Sequence, residues 1–223
     1  MEKNMEATIY NPFATPIYKS SIGRDFTKEE LEFLTQKAYE GVRHDGNWVT
    51  DDKGILDYDV MSDIKQKLQT NLDNYLESIY TTSDDVRLVP VISWVTRCDK
   101  GNYHPPHNHQ NSVASAIIYV SVGDVDGTIF FRPGMKRWDL TPREETYYNA
   151  DTYYSPAKPG GIAIFPSDIM HYVPTVMHDV TRIAISVNTF FEGSIGRAHG
   201  GTLLNFKSDK KCGKDCKNCK CKS

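Results

Sequence analysis

Outside its last twelve residues the chain holds one cysteine, Cys98. That excludes a disulfide-stapled body and fits a reducing compartment. No apolar run approaches the roughly 20 residues a membrane-spanning helix needs. The opening Met-Glu-Lys-Asn-Met-Glu-Ala has no apolar signal core, so we expect a non-secreted protein of a host or bacterial cytoplasm, away from membranes. Charge of one sign is scarce too: 26 Lys and Arg against 29 Asp and Glu leave a net charge of −3. Such a balance exerts no global pull on nucleic acid or anionic lipid. A glycine-rich phosphate loop is missing, and strands do not alternate with helices, which removes the P-loop and dinucleotide-binding readings.

What is present describes a globular protein. At 223 residues, 39% hydrophobic and 25% charged, the chain suits one domain with a substantial core. Residues 8–19 mix β-formers with two prolines and read as an edge strand or extended lead-in. Thr27-Lys-Glu-Glu30 has the form of a capping box, and Leu31, Leu34 and Ala38 follow at helical spacing. Residues 41–52 are polar and read as a loop. A second helix fits residues 60–79, with Ile64, Leu68, Leu72, Tyr75, Leu76 and Ile79 on one apolar face. Neither helix carries chemistry, so both read as a support layer.

From Val86 onward the texture changes to short β-branched and aromatic runs at 87–96, 112–122, 127–132, 161–165 and 182–191. Gly, Pro and Asp separate them, which suggests a sandwich or barrel. Residues 135–159 are long, polar and rich in tyrosine (Tyr147, Tyr148, Tyr153, Tyr154). A loop of that length in a compact domain is commonly functional, and a lid over a pocket is the expected role.

Three of the seven histidines, His104, His107 and His109, precede the second of these strands. In an extended chain side chains alternate faces, so His107 and His109 point the same way and form half of a metal site. His171, after the turn that follows Gly-Gly-Ile-Ala-Ile, is the candidate third ligand. Three imidazoles with positions left open suit iron, zinc, copper or nickel.

The pattern Gly-Asn-Tyr…His-Asn-His-x-Asn-Ser…Ile-Tyr-Val, then Ile-Phe-Phe-Arg-Pro, then Phe-Pro-Ser…His-x-Val…Arg-Ile resembles the 2-oxoglutarate- and Fe(II)-dependent oxygenases. It is most similar to those of marine phages and bacteria, over about residues 8–192. The resemblance implies a mainly β fold, a double-stranded β-helix (jelly-roll or cupin-like) behind the N-terminal helices. It also implies Fe(II) with 2-oxoglutarate and O2 as co-substrates, and oxidative decarboxylation to succinate coupled to substrate C–H oxidation, a hydroxylase activity. The family's His-x-Asp/Glu…His triad maps onto His107, His109 and His171, so a histidine stands where the carboxylate belongs. Three frames remain open: a three-histidine site, a two-histidine site completed by water, and a shifted frame with Asn111 in the carboxylate position. Arg182 matches the basic residue that pairs with the distal carboxylate of 2-oxoglutarate. Tyr119, in parity with His107 and His109, and Asn188, at even spacing from Arg182, are further candidates for that interior. The absent carboxylate leaves an alternative, a non-catalytic cupin-like or zinc-binding accessory module. The motifs carry no signal for a primary substrate.

The last segment differs in kind. We divide the chain into residues 1–204, with helices in about 27–80 and a β core in about 86–192, and a Lys- and Cys-rich tail of 205–223. Cys212, Cys216, Cys219 and Cys221 are spaced to wrap one soft ion such as zinc, or to act in redox chemistry, with lysines that favour thiolates.

Overall fold

Both halves of the capping box form at the start of α1 (Lys28–Glu40): Thr27 Oγ1 accepts the Glu30 N–H at 3.2 Å, and Glu30 Oε2 accepts the Thr27 N–H at 2.8 Å. Glu30 is also held by both terminal nitrogens of Arg24, at 2.8 and 2.6 Å. That double use lets a carboxylate sink into the structure. The buried face of α1 is therefore Glu30, Leu34 and Ala38, and Leu31, expected on that face, is exposed. The second helix, α2 (Ser62–Tyr80), buries Ile64, Leu68, Leu72, Tyr75 and Leu76, while Ile79 in its last turn is exposed. The computed structural model describes residues 8–82, 85–124, 126–133 and 141–206.

The strands are β1 (Tyr18–Ser21), β2 (Val42–His44), β3 (Asn47–Val49), β4 (Val86–Cys98), β5 (His104–His107) and β6 (Ala114–Ser121). They continue with β7 (Thr128–Phe131), β8 (Thr152–Ser155), β9 (Gly161–Pro166), β10 (Met170–Val173), β11 (Arg182–Ile195) and β12 (Leu204–Phe206). A large sheet runs β1-β9-β6-β11-β4-β3-β2, with β12 added to β11, and a small sheet runs β5-β10-β7-β8. Alternation sorts the large sheet's residues between its two faces. Ala114, Ala116, Ile118 and Val120 pack with Ile183, Ile185 and Val187 against the apolar faces of the helices. Ile117, Tyr119 and Ala184 turn to the other side and meet Phe130, Phe165 and Ile169. The helices cover one face, as expected of a support layer, and the small sheet covers the other. The fold is mainly β, a double-stranded β-helix.

Residues 41–52 are not a plain loop. β2 and β3 form a hairpin turning at Asp45 (φ 35°) and Gly46 (φ 107°), the two positive φ angles that a tight hairpin demands. Strands of three residues are too short to show a period. Only the end of the 8–19 segment, from Tyr18, is strand, and it pairs with β9 at the sheet edge. Three of the small sheet's four strands also went unread: β5 carries Pro105 and Pro106, tolerated because it is an edge strand, and β8 and β10 are four residues each. β8 also divides the 135–159 stretch expected as one loop, of which 134–140 lie outside the described residues. β12 takes Asn205 and Phe206 into the large sheet.

Candidate metal and co-substrate site

Two short strands place the first pair of histidines. β5 and β10 run antiparallel with His107 opposite His171, and their rings lie 4.2 Å apart between centroids. His109 sits just beyond β5, on a turn whose position is fixed by its own N–H donating to the Ser167 carbonyl at 2.9 Å. Its ring is 5.2 Å from that of His107 and 5.0 Å from that of His171. One ligand nitrogen from each of the three falls within 4.8 Å of the others. Strand parity is an incomplete route to this pair, because Asn111 (φ 57°) breaks the extension before β6. Asn111 is exposed, and among the described residues no carboxylate joins the three histidines. His104 stacks on His107 at 4.2 Å yet stays out of the triad.

The ring nitrogens are already sorted. His107 Nδ1 is 2.8 Å from the Pro105 carbonyl and His171 Nδ1 is 3.2 Å from the Ile169 carbonyl. A carbonyl only accepts, so both rings carry the proton on Nδ1 and leave Nε2 as the free lone pair. Burial holds the imidazoles below the ordinary histidine range, His109 to about 4 and His104 to about 2, with His107 lowered and His171 well below. Desolvation is the first cause in each, and for His104, His109 and His171 the neighbouring His107 is the second. Neutral imidazole is the form that ligates metal.

The same shifts set a dependence on pH. Because the folded values lie below the unfolded 6.5, the unfolded chain binds more protons as pH falls below 6.5, and stability falls with it. The contribution of these groups is complete above pH 6.5 and is lost as pH falls, down to about 4 for His109 and to about 2 for His104. We expect urea unfolding of metal-free protein to show that decline and His104→Gln to show less of it. Identical profiles for the two proteins would mean that His104 is solvated.

Arg182 opens β11 on the interior face and is 2% exposed. Its Nε is buried without a hydrogen-bond partner, and no ion pair engages it among the described residues. Its guanidinium carbon lies 5.5 Å from the centre of the Tyr119 ring. The Tyr119 hydroxyl meets Thr128 Oγ1 at 2.9 Å, with both residues buried. A buried cation with an orphaned donor fits an anionic ligand, since leaving it unpaired costs several kcal/mol. Cys98 stands opposite Arg182 in the β4–β11 ladder, and burial pushes its thiol up to about 11, so it is protonated and inert at neutral pH. Asn188 shares Arg182's face of β11 but lies six residues along, at the His109 end, with Oδ1 3.5 Å from Ser115 Oγ.

Residues 92–188 match the family model described as "Putative 2OG-Fe(II) oxygenase". This segment belongs to the 2OG-Fe(II) oxygenase family. No curated protein sequence matches the chain. Among solved structures, the chain is similar to the α-ketoglutarate-dependent epimerase SnoN from nogalamycin biosynthesis, at 15% identity over 79% of this chain and 78% of that one, TM-score 0.53. It is also similar to a Pseudomonas putida prolyl-4-hydroxylase, at 12% identity over 78% and 92%, TM-score 0.50. HygX from Streptomyces hygroscopicus, solved with nickel, 2-oxoglutarate and hygromycin B, matches at 11% identity over 78% and 82%, TM-score 0.50. Identities this low speak for the fold alone. The metal and co-substrate of the family are Fe(II) and 2-oxoglutarate, and the neutral imidazoles and the orphaned Arg182 suit that pair.

Around the histidine triad and Arg182 stand residues that spacing and parity do not mark out as part of a site: Thr128 on the Tyr119 hydroxyl, Trp94 with its ring 5.5 Å from that of His109, and Ser115 with Oγ 2.7 Å from His109 Nδ1. All three are ordinary members of buried strands, and only the pairing of distant strands reveals what they touch. Cys212, Cys216, Cys219 and Cys221 lie outside the described residues. Among the described residues no helix is long and apolar enough to cross a membrane.

Proposed function

We propose that this oxygenase is a hydroxylase whose Fe(II) is held by Nε2 of His107, His109 and His171, a three-histidine site. When bound, Fe(II) with 2-oxoglutarate supplies the oxygen-activating chemistry that couples decarboxylation to succinate with oxidation of a substrate C–H bond. Arg182 pairs with the distal carboxylate, its planar fork suited to two oxygens. The Tyr119 hydroxyl, shared with Thr128, is a second donor to that carboxylate, and Asn188 serves the histidine end of the same interior. Phe130, Phe165 and Trp94 keep water from the reacting centre. The observation that carries this reading is the convergence of three neutral imidazoles beside an unpaired buried arginine on one interior.

The primary substrate has a receiving cavity. A hollow of about 440 Å³ lies between Thr15 and Ile17, the end of β7, and Tyr147 and Tyr153. Phe130 and Ile169 are in its wall, and Phe130's ring lies 5.9 Å from that of His171. The described part of the expected lid supplies those tyrosines. The Cys-rich tail is proposed as a separate soft-metal site, which metal analysis of full-length protein with all four cysteines changed to serine tests. Cys98, a buried free thiol, suits the reducing cytosol proposed for the enzyme.

The decisive experiment is anaerobic addition of Fe(II) and 2-oxoglutarate, watching for the visible metal-to-ligand charge-transfer band, followed by oxygen and assay of succinate. Folded protein giving neither band nor succinate would falsify the proposal.

A further inference from the structure

The ring of His109 differs from those of His107 and His171 in one respect: its Nδ1 meets a hydroxyl, Ser115 Oγ at 2.7 Å. A hydroxyl can donate or accept, so this contact alone leaves the tautomer open. The answer lies three side chains away. Ser115 Oγ is 2.8 Å from Ser167 Oγ, and Ser167 Oγ is 2.8 Å from Ser112 Oγ. Ser112 Oγ in turn lies 3.0 Å from the Ala114 carbonyl and 3.2 Å from the Thr189 carbonyl, and it accepts the Thr189 N–H at 3.1 Å.

Those carbonyls set the direction of every bond behind them. Carbonyl oxygens only accept, so the Ser112 proton goes to the backbone. Ser112 then receives the Ser167 proton, and Ser167 receives the Ser115 proton. Ser115 has one proton and has spent it, so it can only accept from His109. Reversing any link would set two lone pairs against each other at 2.8 Å. Asn188 Oδ1, 3.5 Å from Ser115 Oγ, adds another acceptor and does not alter the direction.

We propose that Ser115, backed by Ser167 and Ser112, is a positioning device. It locks His109 as the Nδ1–H tautomer and presents its Nε2, as a neutral donor, in the place where the family's carboxylate stands. This rests on the proposed role of His109 as a ligand. The chain has two structural consequences. It ties the His109 turn to β6, to the β9–β10 turn and to β11, so the third donor sits on rigid strands although it lies outside them. It also gives the ring a hydroxyl partner that cannot draw the Nδ1 proton away as a carboxylate can, so the donor stays a neutral imidazole.

The test uses the full metal-free chain, with side-chain ¹H–¹⁵N correlation spectra assigning the histidine tautomers near neutral pH. The expected result is Nδ1–H for His109 in the wild type, with loss of that single form in Ser115→Ala while His107 and His171 keep theirs. Co(II) titration of both proteins, read by the visible ligand-field bands, should show affinity about 10- to 100-fold weaker in Ser115→Ala. Ser115→Thr, which keeps a hydroxyl, should restore both readouts; if it unfolds, Ser167→Ala replaces it: with the relay cut, Ser115 is free to donate to His109, and the single Nδ1–H form should be lost there too. An Nε2–H tautomer in the wild type, or an unchanged His109 signal in Ser115→Ala, overturns the proposal. Nδ1–H with no Co(II) bands even in the wild type would leave the chain standing and instead defeat the metal reading.

Discussion

His171→Ala is expected to lose tight metal binding, with affinity falling by more than the roughly 100-fold that follows removal of an outer hydrogen-bond partner. Succinate formation should fall with it. His171 is 3% exposed, and its ring lies 4.8 Å from that of Phe165. Truncation there also opens a cavity, at a cost of about 2–4 kcal/mol by analogy with other large-to-small core changes. His171→Gln fills more of that volume and separates the two effects. Both variants should fail to give the Co(II) bands, while Gln should lose less stability in urea. A glutamine variant that binds Co(II) like the wild type would show that His171 packs the core and does not ligate.

Arg182→Met should move stability and binding in opposite directions. In metal-free protein Arg182 is a buried cation with its Nε unpaired and no ion pair among the described residues, so a methionine of similar length removes a desolvation penalty. We expect that protein to be more stable, by about 1 kcal/mol or more. With 2-oxoglutarate bound, the comparison reverses. Without the guanidinium the distal carboxylate is buried unpaired, which costs about 3–5 kcal/mol, or more than a hundredfold in the 2-oxoglutarate KM at about 1.4 kcal/mol per tenfold. Arg182→Lys keeps the charge and loses the fork, and should fall between. Urea unfolding and the KM for 2-oxoglutarate are the two measurements. If Met lowers stability and leaves KM unchanged, the arginine serves packing through its contact with Tyr119 and not co-substrate binding.

The two variants probe different kinds of residue. His171 is neutral, packed and satisfied through Nδ1, so the fold loses little by keeping it. Arg182 is held at a cost that the described residues do not offset. A buried donor without a partner needs a physical account, and an incoming anionic ligand supplies one for Arg182 Nε.

Much of this was legible along the chain, because it depends on neighbours in sequence. The absence of cysteine from the body, the lack of a membrane-spanning run and the capping box at Thr27 and Glu30 are local properties. So are the apolar stripe of α2 and the strands around 86–98, 114–121, 161–166 and 182–195. The resemblance to the oxygenases was carried by the order of the motifs, and it named His107, His109, His171 and Arg182. The hairpin at 42–49 and the strands β5, β8 and β10 could not be read. Strands of three or four residues show no period, and β5 consists of two histidines and two prolines.

By itself, then, the sequence determined the class of fold, the support role of the helices and the set of side chains from which a site can be built. Tertiary structure decided which of them meet. It set His107 against His171 through the pairing of two short strands, left Asn111 exposed on a left-handed turn, and placed Asn188 at the histidine end of the interior. It also drew Ser112, Ser115 and Ser167 into a one-way chain. The reason is physical: a hydrogen bond or a ligand angle depends on distances across strands remote in sequence, and no single stretch encodes those distances before the sheets close on each other.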